Sequence, residues 1–230
     1  MTGMGAMMVG GLAGAVAAAP ARVSETAYDS GGTFYHGSGN AWPAFTSLNL
    51  SNCNIAVVAV TTANGGNTQS IDTTNSTSGW TQLSMNTQST AQLSHAVYYK
   101  TSPTSSESLY IISSGAAPSD CFTAVLFRAA NVTNISAANS VFANAVPDPP
   151  SLDTGASRPL LVLETAGFYA GQANVNAAST NYTNLLISAA SVQSRTALAS
   201  RTVTAQTEDP GVMGATGTNC YGVAMTVAMW

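Results

Sequence analysis

The chain spells out one pattern of apolar runs and turn markers twice, in the same order, and that repeat confines it to folds assembled from two similar arrays of short segments. Ser47-Leu-Asn-Leu50 runs into Ile55-Ala-Val-Val-Ala-Val60, and later Ser151-Leu-Asp-Thr154 runs into Leu160-Leu-Val-Leu-Glu164. Gly79-Trp80-Thr81-Gln82-Leu83 is echoed by Asn181-Tyr182-Thr183-Asn184-Leu185, the run around Leu93 by the run around Leu198, and Cys121-Phe-Thr-Ala-Val125 by Cys220-Tyr-Gly-Val-Ala224. A duplicated unit of this kind is a scaffold before it is anything else.

The segments read as strands. From Ala27 onward, short apolar runs are separated by clusters of Gly, Asn, Ser, Thr and Pro, and no stretch carries a sustained helical period. In the last run Tyr221, Val223, Met225, Val227 and Met229 alternate with Gly222, Ala224, Thr226 and Ala228, which sends large side chains to one face and small ones to the other. Phe122, Ala124 and Leu126 stand at the matching places of the first copy. The chain reaches Trp230 without a polar tail, so the final strand is expected to lie inside a sheet. Turn markers punctuate the runs at Asn64-Gly65-Gly66, Ser114-Gly115 and Asp209-Pro210-Gly211. The sequence therefore predicts an all-β protein, an antiparallel, jelly-roll-like β-sandwich built from two similar halves. An apolar N-terminal arm over residues 1–26 precedes a sandwich over 27–230, with repeats at about 40–130 and 147–230. Pro147-Asp-Pro-Pro150 falls between the copies, and whether they form one merged sandwich or two domains stays open.

Composition narrows the function classes. With 230 residues, 45% of them hydrophobic, the chain has the means to bury a substantial core. Only 7% of residues are charged, against roughly 25% in an ordinary soluble domain, so its surface is expected to be neutral and rich in hydroxyl and amide groups. Its 6 Lys plus Arg residues are scattered singly and build no stripe for phosphates, which argues against a nucleic-acid partner. Residues 1–19, MTGMGAMMVGGLAGAVAAA, are apolar but lack the basic start of a signal peptide. They are also too rich in glycine for a convincing membrane span. The expected role of the segment is an arm that packs on a neighbouring subunit.

Candidate chemistry is sparse. The three cysteines, Cys53, Cys121 and Cys220, show no CxxC or Cys/His cluster and read as buried free thiols. Cys121 and Cys220 hold matching places, so a bridge between them remains a second option. Gly37-Ser38-Gly39 lacks the spacing of a nucleophile elbow. His36 and His95 are isolated, and His95 shares a strand face with Leu93, Val97 and Tyr99, which suits a packed histidine better than a base. The acids Asp29, Asp72, Glu107, Asp120, Asp148, Asp153, Glu208 and Asp209 fall mostly in turns, while Glu164 closes an apolar run. Glu164 is expected to face solvent at a strand end; burial is the alternative, and would raise its pKa. Trp80 and Tyr182 occupy equivalent places and read as core plugs. Phe34-Tyr35 and Phe168-Tyr169, each beside glycines, are the aromatics expected to be exposed. No catalytic, cofactor-binding or metal-binding residues are assigned.

The succession Ile55-Ala-Val-Val-Ala-Val60, Ser78-Gly-Trp-Thr-Gln-Leu83, Ala96-Val-Tyr-Tyr-Lys100, Ser106-Glu-Ser108 and Ala124-Val-Leu-Phe-Arg128 resembles a repeat-containing β-sandwich family of tailed-bacteriophage virion accessory proteins. The likeness spans roughly residues 40–230. The resemblance implies a non-enzymatic virion structural protein without cofactors, sited on the particle exterior among other capsid or tail subunits, as a homo-oligomer such as a trimer. Its foremost form is a capsid decoration or cement protein anchored by the arm; its alternative is a tail-fibre or tail-tip module that recognises host glycans through Tyr35 or Tyr169. The second copy departs from the pattern, with Asn181-Tyr182 for Gly79-Trp80 and no Lys at the strand end, which argues against a ligand site shared by both copies.

Overall fold

A computed structural model describes residues 18–29, 41–63, 68–113, 121–169, 174–188, 194–216 and 220–230. The N-terminal segment 1–17, His36 and the Gly37-Ser38-Gly39 run lie outside the described residues, as do Phe34, Tyr35, and the turn markers at 64–67 and 114–118. All regular structure that is described is strand. The first half of the chain supplies β1 (Ala21–Asp29), β2 (Ala41–Leu48), β3 (Ile55–Ala63), β4 (Gln69–Ile71), β5 (Thr81–Gln88), β6 (Leu93–Thr101), β7 (Glu107–Ser113) and β8 (Cys121–Ala130). The second supplies β9 (Ile135–Ala143), β10 (Leu152–Tyr169), β11 (Asn174–Ala177), β12 (Thr183–Ile187), β13 (Ser194–Glu208), β14 (Gly214–Thr216) and β15 (Tyr221–Met229).

Strand pairing follows jelly-roll winding. In the first half β1 pairs with β8, β2 with β7 and β3 with β6, giving a five-stranded sheet ordered β1-β8-β3-β6-β5 and a three-stranded sheet ordered β2-β7-β4. The second five-stranded sheet, read as β9-β15-β10-β13-β12, has the same pattern: β9 pairs with the last strand, β15, as β1 does with β8, and β10 pairs with both β13 and β15, as β3 does with β6 and β8. Its companion is reduced to β11-β14. Every pairing is antiparallel.

The two large sheets stack face to face, and this explains the strands' composition. Alternate residues of a strand point to opposite faces, so a sheet covered on both sides is apolar throughout. Along β3, Ile55, Val57 and Ala59 enter the seam between the large sheets and meet Leu161, Leu163, Leu198, Val223, Met225, Val227 and Met229. Ala56, Val58 and Val60 enter an outer core beneath the three-stranded sheet, with Phe45, Leu109, Ile111 and Trp80. In the second half Leu160 and Val162 face one outer core and Ala166 and Phe168 another. At the sheet edges Asn139 on β9 donates to Ser84 on β5 at 2.8 Å and accepts from Asn86 at 2.6 Å, lacing the two halves along one side.

Several expectations are corrected. The body begins at Ala21, because Ala21–Asp29 pairs with β8 from Ala130 back to Thr123, so residues 21–26 belong to the sheet and not to the arm. The second half begins at Ile135, because β9 pairs with β15, and Pro147–Pro150 therefore lies within that half. The matching of the last strands slips by one residue. Val223, Met225, Val227 and Met229 face the seam, but in β8 the residues on that face are Val125, Phe127 and Ala129, while Phe122, Ala124 and Leu126 point to the outer core. With a period of two, an error of one residue exchanges the faces.

Close backbone approach constrains one glycine sharply. A Cβ on Gly222 would sit 2.1 Å from the Gly167 carbonyl oxygen and 2.6 Å from the Phe142 ring. Gly222→Ala is expected to destabilise the protein by about 1–3 kcal/mol or more, lowering the melting temperature by several degrees in thermal denaturation followed by circular dichroism, whereas Gly211→Asn, with open space around it and a positive φ that Asn adopts more readily than other L residues, should lower it by less.

Candidate functional site

Three polar constellations interrupt the apolar cores. The first lies in the seam, where neighbouring strands of the first sheet put Thr123, Thr61 and His95 side by side. Across the seam stand Thr165 of β10 and Thr196 of β13. His95 Nδ1 is 2.9 Å from the Thr61 hydroxyl and Nε2 is 3.2 Å from the Thr165 hydroxyl. The Thr196 hydroxyl lies 2.7 Å from that of Thr61 and 3.0 Å from that of Thr123, and Thr165 donates to the Ala197 carbonyl at 2.8 Å.

The Thr196 hydroxyl also lies 3.1 Å from the Thr123 carbonyl, so its one proton serves either that carbonyl or Thr61, and each ring nitrogen of His95 has a hydroxyl partner in either tautomer. His95 is fully buried, and burial lowers its pKa from 6.5 to about 3. Gly167 makes room for the ring, since a Cβ there would lie 2.6 Å from Nδ1.

The second and third constellations match each other. In the first half Lys100 Nζ is 2.6 Å from Glu107 Oε2 and donates to the Ser78 carbonyl at 2.6 Å. Glu107, fully buried, also accepts from the Thr77 hydroxyl and from the Thr104 amide and hydroxyl at 2.7 and 2.9 Å. Burial pushes its carboxyl up, but Lys100, Thr77 and Thr104 outweigh this and hold it below the usual range. In the second half Arg201 Nη2 is 2.6 Å from Glu208 Oε2, Tyr182 donates to Glu208 Oε1 at 3.0 Å, and the Arg201 guanidinium lies 5.2 Å from the Tyr182 ring centre. Burial and the Glu208 charge push the Tyr182 phenol strongly up. The aromatic residue that precedes each pair follows a residue in the left-handed region, Gly79 at φ 91° and Asn181 at φ 69°.

The second copy has no Lys at this place, and Arg201 fills it on the equivalent strand, paired with Val162 as Lys100 is with Ala56. The signal was present as a basic residue followed seven positions later by glutamate in both copies, Lys100–Glu107 and Arg201–Glu208. It was obscured because Arg201 falls in mid-strand, while Lys100 is next to the end of its strand. Glu107, Glu208 and Asp72 are buried rather than solvent-facing turn acids.

Glu164 is likewise buried and lies within the long β10 rather than at a solvent-facing end. Its Oε1 accepts from the Ser179 amide at 2.9 Å, and Oε2 has no partner. Burial raises its pKa, with Ser179 and the Arg201 charge opposing. Phe168 is buried in an outer core and Tyr169 packs partly against the seam, which corrects the expectation that this aromatic pair is exposed. Trp80 and Tyr182 are core residues, 8% and 6% exposed. Cys53 and Cys220 are buried free thiols in different cores, their pKa values raised by burial, and the side chain of Cys121 lies outside the described residues.

Among the described residues no group of three His, Cys, Asp or Glu side chains is placed to hold a metal, and no helix is long and apolar enough to cross a membrane. Among the described residues, clefts of about 210, 210 and 180 Å³ are found, each smaller than the roughly 300–1,000 Å³ of drug-sized ligand sites. None is lined by His95, Glu164, Glu107 or Glu208. Comparison with family models, with curated proteins and with solved structures finds no match to this chain.

Two predictions follow from these buried groups. Removing one member of an ion pair strands the other charge in the core. Lys100→Met should cost about 3–5 kcal/mol in urea unfolding, with much of the loss recovered in Lys100→Met/Glu107→Gln. His95 is neutral when folded and titrates near 6.5 when unfolded, so its contribution is intact above that pH and is lost by about 1.4 kcal/mol per pH unit as pH falls toward 3. Glu164, with a raised folded pKa, has the opposite slope above pH 4.5. The stability difference between wild type and His95→Gln, measured from pH 6.5 to 4.5, isolates the histidine and should shrink as pH falls.

Proposed function

We propose that the protein is a non-enzymatic structural component of a bacteriophage particle, in its most specific form a capsid decoration or cement protein whose N-terminal segment anchors a rigid double jelly-roll body. The observation that carries this reading is how completely the body spends its own apolar surface. Val141 and Val212 are the large hydrophobic residues that stand exposed among the described residues. Among the described residues the body offers no sizeable apolar patch with which to hold a partner. Apolar sequence suited to that task lies in the segment before Ala18, with Met1, Met4, Met7, Met8, Val9, Leu12 and Val16.

The buried acids and bases support a structural role. Lys100, Glu107, Arg201 and Glu208 neutralise one another inside the halves, and His95 is held by threonines on both ring nitrogens. A general acid or base needs access to the proton it moves, and these groups are closed off. An extended arm of 17 residues spans up to roughly 60 Å, enough to cross a neighbouring subunit and bury itself at a joint. Repetition of one arm-to-neighbour contact around a symmetry axis, as in a trimer, closes an assembly with a single kind of interface.

Deleting residues 1–17 stops short of β1 and is expected to leave the thermal transition of the body unchanged while abolishing its incorporation into particles. Occupancy is read by quantitative mass spectrometry on purified particles assembled with full-length or truncated protein; truncated chains present at the full-length level would refute the anchoring role.

A further inference from the structure

The chain enters β1 past the end of the first large sheet, beside a part of the second sheet that the first does not reach. The first sheet stops level with Ala21, Ile55, Thr101 and Ala130. Beyond that end β10 and β13 run on as a paired ribbon, from Leu160 back to Leu152 and from Val203 to Glu208, and Pro159, Thr202 and Thr204 stand exposed. Ala18, Ala19 and Pro20 meet this ribbon at a cleft of about 180 Å³ that Pro159 and Trp230 wall on the other side. We propose that the cleft is the seat of the chain's own residues 12–17, with the Val16 side chain as its plug.

The lining selects an apolar occupant, because each polar side chain on it already has a partner in the protein. Asn131 Nδ2 donates to the Ala19 carbonyl at 3.2 Å, and the Thr133 hydroxyl donates to the Trp230 carbonyl at 2.9 Å. Arg158 donates from Nε to the Ala156 carbonyl at 3.3 Å and from Nη2 to the Thr154 carbonyl at 3.4 Å, with its guanidinium 5.1 Å from the Trp230 ring centre. What remains to a visitor is two alanine methyls, two proline rings and an indole. The wall is also set in advance: the Trp230 carbonyl accepts from the Thr133 and Asn134 amides at 2.7 Å each, and the Trp230 amide donates to the Asn134 carbonyl at 3.1 Å. A pre-ordered wall spares the entropy that docking otherwise spends on it.

Position along the chain decides which apolar group arrives. Val16 is two residues from Ala18, which is itself part of the wall. A tether this short gives it an effective concentration at the cleft on the order of millimolar or more, above that of a free partner. Residues 12–17, Leu-Ala-Gly-Ala-Val-Ala, carry no polar side chain that burial would penalise. Pro20 is buried and Ala19 is tied to Asn131, so the segment starts from a fixed point on the body. With Val16 seated, residues 1–11 are the part free to reach a neighbour, over up to roughly 40 Å, and they hold Met1, Met4, Met7 and Met8. The docking is a contact of the chain with itself and does not depend on the anchoring role proposed above.

The test uses the full chain with ¹⁵N-labelled indoles, following the Trp230 N–H resonance assigned by its absence in Trp230→Phe. A contact this small opens far below the melting of the body, so a local signal is the one to read. Val16→Asp is expected to shift the Trp230 resonance, whereas Val16→Leu and removal of residues 1–9 should leave it near its full-length position. The Trp80 indole, in the first-half core, should stay in place in every variant. Unlabelled wild type added in excess to labelled Val16→Asp should not restore the Trp230 resonance, because each chain fills its own cleft. The proposal is overturned if Val16→Asp leaves the resonance where it was, if the Trp80 indole moves with it, or if removing residues 1–9 moves it as far. Restoration by added wild type overturns it too, and would give the cleft to the segment of a second copy.

Discussion

Burial of one large sheet against the other governs this structure. Among the described residues, each five-stranded sheet is covered on its outer face by a small partner sheet, three strands in one half and two in the other. A small partner leaves much of a large sheet's apolar area to be buried elsewhere, and the seam between halves supplies the place. Ile55, Val57, Val125 and Phe127 on one side and Leu161, Leu163, Met225 and Val227 on the other exclude water along it. Neither sheet is expected to be stable with that face in solvent. The halves therefore stand or fall together, although each has its own jelly-roll winding.

Inside that shared frame each half carries the same fastener in a different chemistry. Lys100–Glu107 ties the end of β6 to the start of β7, and Arg201–Glu208 ties two positions along β13 beneath Tyr182. Burying a charge pair costs more than it returns unless the remaining lone pairs are satisfied. Glu107 meets this condition through Thr77 and Thr104, and Glu208 through Tyr182. Lysine suits the first site, where one ammonium bonds both a carboxylate and the Ser78 carbonyl. Arginine suits the second, where a planar guanidinium can lie over a phenol ring while bonding a carboxylate. The left-handed residue before each aromatic, Gly79 or Asn181, turns the chain so that the ring can enter the core beside the pair.

Much of the fold was legible because strands buried on both faces leave a strong mark. The runs at Ile55, Leu93, Leu160 and Leu198 became β3, β6, β10 and β13, and they occupy corresponding positions in the two sheets. What was not legible has identifiable physical causes. The membership of Ala21–Asp29 in the first sheet rests on pairing with β8, a contact between distant parts of the chain for which ARVSETAYD gives no local signal. The face assignment of β8 failed because both of its faces are buried, so Phe122, Leu126 and Phe127 give no polar contrast to fix the alternation. Glu164 looked like a strand end because a carboxylate ordinarily interrupts a buried run; here β10 continues through it to Tyr169. The acids at 107 and 208 were read as turn residues because their bases lie on the far side of a turn or further back along a long strand.

The scarcity of charge acquires a meaning once the described ion pairs are placed. Lys100, Arg201, Glu107 and Glu208 are drawn largely into the interior, Arg22 is paired with Glu25, and Arg158 lies 5.1 Å from the centre of the Trp230 ring. These three pairs take up three of the 6 basic and three of the 10 acidic residues, and the net charge of −4 over 230 residues sets up only a weak long-range field. Such a surface neither steers a charged ligand from a distance nor repels another copy of itself. Its contacts must instead be made at short range, by hydroxyls and amides, a property in keeping with the structural role proposed above.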